Sequence, residues 1–149
     1  MVGRAAALAA LLLAATPALA DEGPVLGTLR RFGLLGTWAM NCAQGASADN
    51  EYSVYAISAS GKATLSYSRG EPYREIVYAI RTAEQLAPDR LALQVLHMPE
   101  RVPVDLVLHK EVNSLQVWSS HTLDGRMLVT NGVITGNGRA SPRFQRCAP

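Results

Sequence analysis

From residue 35 onward the sequence consists of short runs in which apolar and polar residues alternate, and this pattern limits the fold more than any other feature. Alternation with a period of two is typical of strands with one buried face. The runs are rich in Val, Ile, Leu, Tyr and Thr, and residues that favour turns separate them. The predicted strands are 35–42, 51–57, 62–68, 73–81, 90–98, 104–111, 115–123 and 126–135, with a short ninth at 143–147.

The connections between these runs are short, which leaves no room for helical crossovers. Asp124-Gly125 is the strongest hairpin signal, because a type I′ turn needs positive φ at both central positions. The strands are therefore expected to be antiparallel neighbours in sequence order. Eight such strands can close into an up-and-down barrel, which removes exposed edges. The alternative all-β arrangement is a two-sheet sandwich made of the same strands.

Residues 1–20 have the three-part pattern of a cleaved secretory signal. Arg4 supplies the positive charge, an apolar run follows from Ala5, and Ala18-Leu19-Ala20 precedes acidic Asp21. The apolar run is shorter than the roughly 20 residues that a membrane-spanning helix needs. The sequence thus predicts a signal peptide at 1–20, an N-terminal arm at 21–34 and one barrel domain at 35–149. Within the arm, Thr28 is a candidate N-cap for one short helical turn at 29–34.

The predicted mature chain has two cysteines, Cys42 and Cys147. In an exported protein a disulfide is the default, and two cysteines allow one pairing. The signal pattern, with cleavage after Ala20, predicts a periplasmic or secreted location, and the cysteine pair predicts a bridge that holds the C-terminal tail across the seam where the barrel closes. If Trp38 points inward, Cys42 has the same parity, which predicts a bridge at the rim or at one end of the interior.

The stretch that begins the first strand has Gly36, Thr37 and Trp38 in succession, after a short helical signal and before the meander. This pattern resembles the lipocalin and calycin barrels. The resemblance implies that Trp38 closes one end of the barrel and that Gly36 lets the chain pass close beneath it. It also implies an arginine that packs across the tryptophan, for which Arg126, Arg139 and Arg143 are the candidates.

The chain departs from typical lipocalins in three respects. The Thr-Asp-Tyr motif of a late hairpin is absent, the chain is shorter, and no long C-terminal helix follows the strands. In these respects the chain is more similar to smaller bacterial barrels, which include streptavidin-like proteins and periplasmic inhibitors of secreted metalloproteases.

Charge and motifs exclude several classes of function. Without Arg4 the chain has 13 Lys and Arg against 12 Asp and Glu, a net charge of +1, so no basic footprint predicts binding to nucleic acid or an anionic membrane. The sequence contains no Gly-x-Ser-x-Gly, phosphate loop, dinucleotide fingerprint or His-Glu-x-x-His. We therefore predict a protein that is not an enzyme and that uses no cofactor or metal.

The candidate ligand-binding residues are His97, His121, Tyr55 and Tyr78. The three histidines are spaced twelve residues apart, and alternation predicts that His97 and His121 face the lumen at one mouth while His109 faces outward. Two such histidines could contribute to a metal site, but no third ligand is evident. Tyrosines in the second to fourth strands would offer flat apolar area with a polar tip, although tyrosine is also an ordinary strand former.

Two functions fit this sequence. In the first, the barrel holds a small apolar or amphipathic molecule, and inward residues such as Leu93, Val95 and Leu106 line the cavity. In the second, a filled barrel binds an envelope protein, for example a secreted hydrolase that it inhibits, through an ordered arm at 21–32. An eight-stranded barrel can be filled or can hold one small ligand, so strand number does not decide between them.

Overall fold

The computed structural model describes residues 23–98 and 100–148, so the predicted signal peptide lies outside the described residues. One helix, α1 (Pro24–Phe32), precedes the strands. The strands are β1 (Gly36–Ala39), β2 (Tyr52–Ile57), β3 (Ala63–Ser68), β4 (Ile76–Ala87), β5 (Arg90–Met98), β6 (Val102–Glu111), β7 (Ser114–Thr122), β8 (Met127–Thr130), β9 (Val133–Ile134) and β10 (Arg143–Arg146). In the described part of the chain, α1 is too short to cross a membrane.

The predicted all-β barrel is confirmed. Strands β1 to β7 form an antiparallel meander, and β10 pairs with both β7 and β1, so these eight strands close on themselves. The prediction that residues 126–135 form the eighth strand is wrong. Asn131 and Gly132 have φ values of 50° and 74°, and this turn divides the segment into the hairpin β8–β9, which extends from the second half of β7. The closing strand is the short C-terminal β10.

Helix α1 is longer than the predicted single turn. Pro24 is its first residue, where a fixed φ suits a helix start and the missing N–H removes no hydrogen bond. Gly33 ends it with a φ of 70°, and the Gly33 N–H donates to the Arg30 carbonyl at 2.9 Å. The predicted N-cap role of Thr28 is wrong: Thr28 lies inside the helix, and its hydroxyl accepts a hydrogen bond from Arg31 at 3.1 Å.

Helix α1 packs against one end of the barrel, which we call the floor and define by Leu29, Phe32, Leu34, Trp38 and Arg146. The first four side chains are at most 1% exposed and belong to one hydrophobic core. Trp38 is buried as predicted, and its Nε1–H donates to the Leu34 carbonyl at 2.8 Å. Burial of this ring therefore leaves no unsatisfied donor.

The arginine that packs across Trp38 is Arg146, so the candidates Arg126, Arg139 and Arg143 were wrong. Its guanidinium lies 5.7 Å from the centre of the Trp38 ring. The same group donates to the Gly33 carbonyl at 3.1 Å and the Leu35 carbonyl at 3.0 Å. Gly36 beside it has a φ of 129°, a backbone conformation that residues with a Cβ rarely adopt, which explains why this position is a glycine.

A second cation lies at the C-terminal end of α1. Lys110 Nζ donates to the Phe32 carbonyl and lies 4.6 Å from the centre of the Phe32 ring. Burial, and then the positive charge of Arg146, lower the pKa of Lys110. The last carbonyls of a helix carry partial negative charge, so Lys110 and Arg146 both complement this helix end.

The predicted disulfide between Cys42 and Cys147 is present, with their Cα atoms 5.4 Å apart. It joins the chain after β1 to the chain after β10, at the seam where the barrel closes, and the Cys147 N–H donates to the Thr37 carbonyl at 2.9 Å. The alternative that places the bridge in the barrel interior is wrong, because β1 ends at Ala39 and a turn breaks the alternation before Cys42. Cys42 is exposed and Cys147 is half-buried.

Candidate ligand-binding cavity

The barrel is hollow toward the end away from α1, where a cavity of about 270 Å³ opens. We call this end the mouth and define it by Glu51, Tyr67, Tyr78 and Pro142. Most of the cavity wall consists of inward residues of β2, β3, β4, β6 and β7. The lining residues are Glu51, Ser53, Tyr55, Leu65, Tyr67, Ile76, Tyr78, Val104, Leu106, Val117, Ser120, Leu128, Ser141, Pro142 and Phe144.

Three tyrosines form one wall of the cavity. Their positions follow from strand alternation, because Tyr55, Tyr67 and Tyr78 occupy inward positions of three neighbouring strands. Tyr55 is buried at 4% exposure, whereas Tyr67 and Tyr78 are half-buried nearer the mouth. This arrangement puts three aromatic rings along one side of the cavity.

The opposite wall contains residues that lie outside the eight barrel strands. Beyond Gln116, β7 separates from β10 and pairs with β8, so Leu128 and the segment before β10 fill the space between them. Gln116 fixes this segment by donating from Nε2 to the Ser141 carbonyl at 2.9 Å. The Ser141 N–H in turn donates to the Gly132 carbonyl at 2.7 Å. The β8–β9 hairpin thus holds part of the cavity wall in place.

Among the described residues that line the cavity, Glu51 is the only one with a formal charge. Its side chain is 17% exposed, and one carboxylate oxygen lies 3.4 Å from Nε of Arg69. Burial, and then the hydrogen bond with Glu51, raise the pKa of Tyr67. Burial also raises the pKa of Tyr55. Both phenols therefore remain neutral across the physiological range and add no negative charge to the cavity.

Loops around the mouth hold Glu51 in position. Asn50 is buried, its Oδ1 accepts from the Asn41 N–H at 2.8 Å, and its Nδ2 donates to the Asn41, Gln44 and Gly45 carbonyls at 2.9 to 3.1 Å. A second loop meets this one at Gly70, where a Cβ would come within 2.1 Å of the Ala46 carbonyl oxygen. Only glycine permits so close a contact, and the two loops form a fixed border.

Of the four predicted ligand-binding residues, three lie inside the barrel or at its mouth, and one lies on the outer surface. Tyr55 and Tyr78 line the cavity. His97 is outside the lining but packs against Tyr78, with the ring centres 5.2 Å apart, and its Nδ1 contacts the Glu100 carboxylate. These three residues lie on the inner side of the barrel or at its mouth. Whether any of them binds a ligand stays a prediction.

The predicted inward orientation of His121 is wrong. Trp118 is an extra residue in β7: Val117 pairs with Leu108 while Ser119 pairs with Val107, so a bulge reverses the alternation beyond it. Ser120 therefore lines the cavity. His121 lies on the outer surface, 3.3 Å from the Asp105 carboxylate. His97 and His121 do not meet at one mouth, and the shared metal site considered for them does not form.

His109 lies on the outer surface, as alternation predicts. Its Nε2 is 3.1 Å from the Asp89 carboxylate, and its ring meets the edge of Trp118 with the ring centres 5.6 Å apart. The Arg90 guanidinium covers the same indole at 4.3 Å. These contacts account for Trp118 as an outer packing residue.

The prediction from alternation that Leu93, Val95 and Leu106 line the cavity is correct only in part. Leu106 lines the cavity, but Leu93 and Val95 are 2% and 1% exposed and belong to the closed core. Sequence reasoning missed Glu51 as a site residue, and it considered Tyr67 only within the general group of strand tyrosines. A signal for Glu51 existed, because it has the same parity as Tyr55, whereas no pattern in the sequence indicated Leu128 or Ser141.

The chain matches no protein-family model, and no curated protein or solved structure matches it.

Proposed function

We propose that this protein is an exported, non-catalytic binding protein that holds one compact amphipathic molecule in the mouth end of its barrel. The observation that carries the proposal is the cavity of about 270 Å³ lined by aliphatic and aromatic side chains. A few polar groups among apolar walls are typical of small-molecule sites, where they fix the orientation of the ligand.

The volume limits the size of the ligand. Drug-sized ligands occupy cavities of about 300 to 1,000 Å³, whereas an apolar cavity of about 150 Å³ holds one benzene. A cavity of about 270 Å³ therefore suits a molecule with one or two rings, or a short alkyl chain. Long-chain lipids are too large to be enclosed.

Location and family relationship form part of the same proposal. The signal pattern at residues 1–20 and the Cys42–Cys147 disulfide support export to the periplasm or the exterior. A closed eight-stranded barrel with Trp38 buried under Arg146 supports a distant lipocalin-like relationship. The proposal rests on these features together with the cavity.

The second candidate function is binding of an envelope protein or inhibition of a secreted hydrolase through the N-terminal arm. This function would need residues of the arm to reach the partner. Leu29 and Phe32 of α1 instead pack into the barrel's own core. The helix therefore has no free apolar face at these positions, and we prefer the small-molecule proposal.

The test uses a panel of neutral, cationic and anionic compounds with one or two rings, with binding followed by NMR of the mature protein. Some members should shift the resonances of Tyr55 and Tyr67. Val117→Phe, which adds a phenyl group to the cavity wall, should abolish these shifts. Val107→Phe adds the same group to the outer surface and should leave them unchanged.

Two results would refute the proposal. One is that no compound of the panel binds. The other is that the compounds bind equally well to Val117→Phe, which would place them outside the cavity. Circular dichroism of both variants provides the check that each remains folded.

A further inference from the structure

The charge inside the cavity is negative and comes from a single side chain. Glu51 is the only described lining residue with a formal charge, and it lies at the mouth, where a ligand enters. The other polar lining groups are the hydroxyls of Tyr55, Tyr67 and Tyr78 and those of serines. An anionic ligand would meet a carboxylate with no cation in the cavity wall.

The aromatic lining also favours a positively charged ligand. The faces of tyrosine rings carry a negative quadrupole, which attracts ammonium and guanidinium groups. Three tyrosines lie along one wall, and Glu51 lies near enough to Tyr67 to help raise the pKa of its phenol, after burial. The carboxylate therefore shares the cavity with the aromatic wall.

Arg69 already lies beside Glu51 but outside the cavity. Its Nε is 3.4 Å from the Glu51 carboxylate, and its guanidinium stacks on Tyr73 at 4.6 Å from the ring centre. Its Nε is buried yet donates no hydrogen bond within the described structure. Arg69 thus lies beside Glu51 without a direct hydrogen bond, and the same carboxylate lines the cavity together with the tyrosines.

We propose that the cavity selects a compact organic cation, in which an ammonium group contacts Glu51 and the tyrosine rings while one ring or a short alkyl chain contacts Leu65, Leu106 and Phe144. This inference rests on the proposed function and adds the chemical class of the ligand. Arg69 competes with the ligand for the same carboxylate.

The first test compares three probes of similar size: 2-phenylethylamine, 2-phenylethanol and 3-phenylpropionate. Their dissociation constants are measured at pH 7 by NMR titration of the mature protein. We expect the amine to bind at least about ten-fold more tightly than the alcohol, because it gains both the ion pair and the cation–π contact. The carboxylate should bind more weakly than either.

Two variants should shift the binding of the amine in opposite directions. Glu51→Gln should remove most of the advantage of the amine over the alcohol, leaving the part that the cation–π contact supplies. Arg69→Gln removes the competing cation and should strengthen amine binding several-fold. Glu111→Gln is the matched control, since it removes one negative charge from an exposed ion pair with Arg143 and should change nothing.

The outcomes separate this inference from the proposed function. If the alcohol binds as tightly as the amine, or if Glu51→Gln leaves the ratio of their affinities unchanged, the cation preference is wrong while the cavity still binds small molecules. If none of the three probes binds and the wider panel also fails, the proposed function itself is wrong. Binding of the amine that Val117→Phe does not weaken places it outside the cavity and overturns both.

Discussion

The two ends of this barrel are built from the same strands but are packed in opposite ways. At the floor, Leu29, Leu34 and Trp38 are almost fully buried, and the polar atoms around them have hydrogen-bond partners. At the mouth, the strands surround an open cavity of about 270 Å³ with a carboxylate and phenols in its wall. Side chains at the floor stabilise the fold by close packing. At the mouth, polar groups and open volume remain in the wall of the barrel.

This difference assigns different roles to the two ends. Close packing is the main source of stability in a small domain, and hollow regions lower it. Under the proposed function, the open volume at the mouth serves ligand binding and contributes little to stability. We expect substitutions at the floor to change the free energy of unfolding strongly and substitutions at the mouth to change it little.

The largest effect is expected for Trp38→Ala. Removal of a fully buried indole should lower the free energy of unfolding by about 3 to 5 kcal/mol, from lost burial and the cavity left behind. Urea denaturation measures this change, and Trp38→Phe should cost less because a ring remains. A midpoint for Trp38→Ala close to that of the wild type would show that the floor is not the main stabilising region.

Loss of the disulfide should have the next largest effect. The bridge between Cys42 and Cys147 spans a separation of 105 residues, and removal of such a link typically costs about 2 to 5 kcal/mol. The double change to Ala should lower the thermal midpoint while ligand binding at the mouth persists. Labelling of the non-reduced protein by a thiol reagent would contradict the presence of the bridge.

Arg146→Met should cost about 1 to 2 kcal/mol. The change removes two hydrogen bonds, to the Gly33 and Leu35 carbonyls, and the contact with the Trp38 ring. Arg143→Met is the control on the same strand, because its ion pair with Glu111 is exposed and screened by water, and its loss should cost much less than the loss of Arg146. Equal losses in the two variants would mean that Arg146 does not stabilise the floor.

The floor was more predictable from the sequence than the mouth. Regular alternation and the Gly36-Thr37-Trp38 pattern led to the barrel and the buried tryptophan, and the two cysteines of a chain with a signal pattern led to the seam disulfide. The choice of arginine failed within the closing strand itself: Arg143 on β10 was a candidate, but the register of β10 against β1 pairs Arg146 with Trp38. Such long-range pairing depends on closure, which no local pattern records.

Prediction of the mouth failed where the strands are irregular. The bulge at Trp118 turns His121 outward and brings Ser120 into the cavity, and a strict period of two cannot reveal it. The turn at Asn131 and Gly132 divides a segment that looks like one strand, and this division supplies Leu128 to the wall. Tyr55 and Tyr78 were found because β2 and β4 are regular where these residues lie.

The smallest effect on stability is expected for Val117→Phe, and it tests the difference between the two ends most directly. At the mouth the added phenyl group enters existing space, so the free energy of unfolding should change by less than about 1 kcal/mol. At the floor Leu34 is fully buried, and the increase in size in Leu34→Phe should cost about 1 to 3 kcal/mol because no space exists. Urea denaturation of the two variants gives both values. If Val117→Phe destabilises as much as Leu34→Phe, the mouth is as tightly packed in solution as the floor, and the volume available for a ligand is lost.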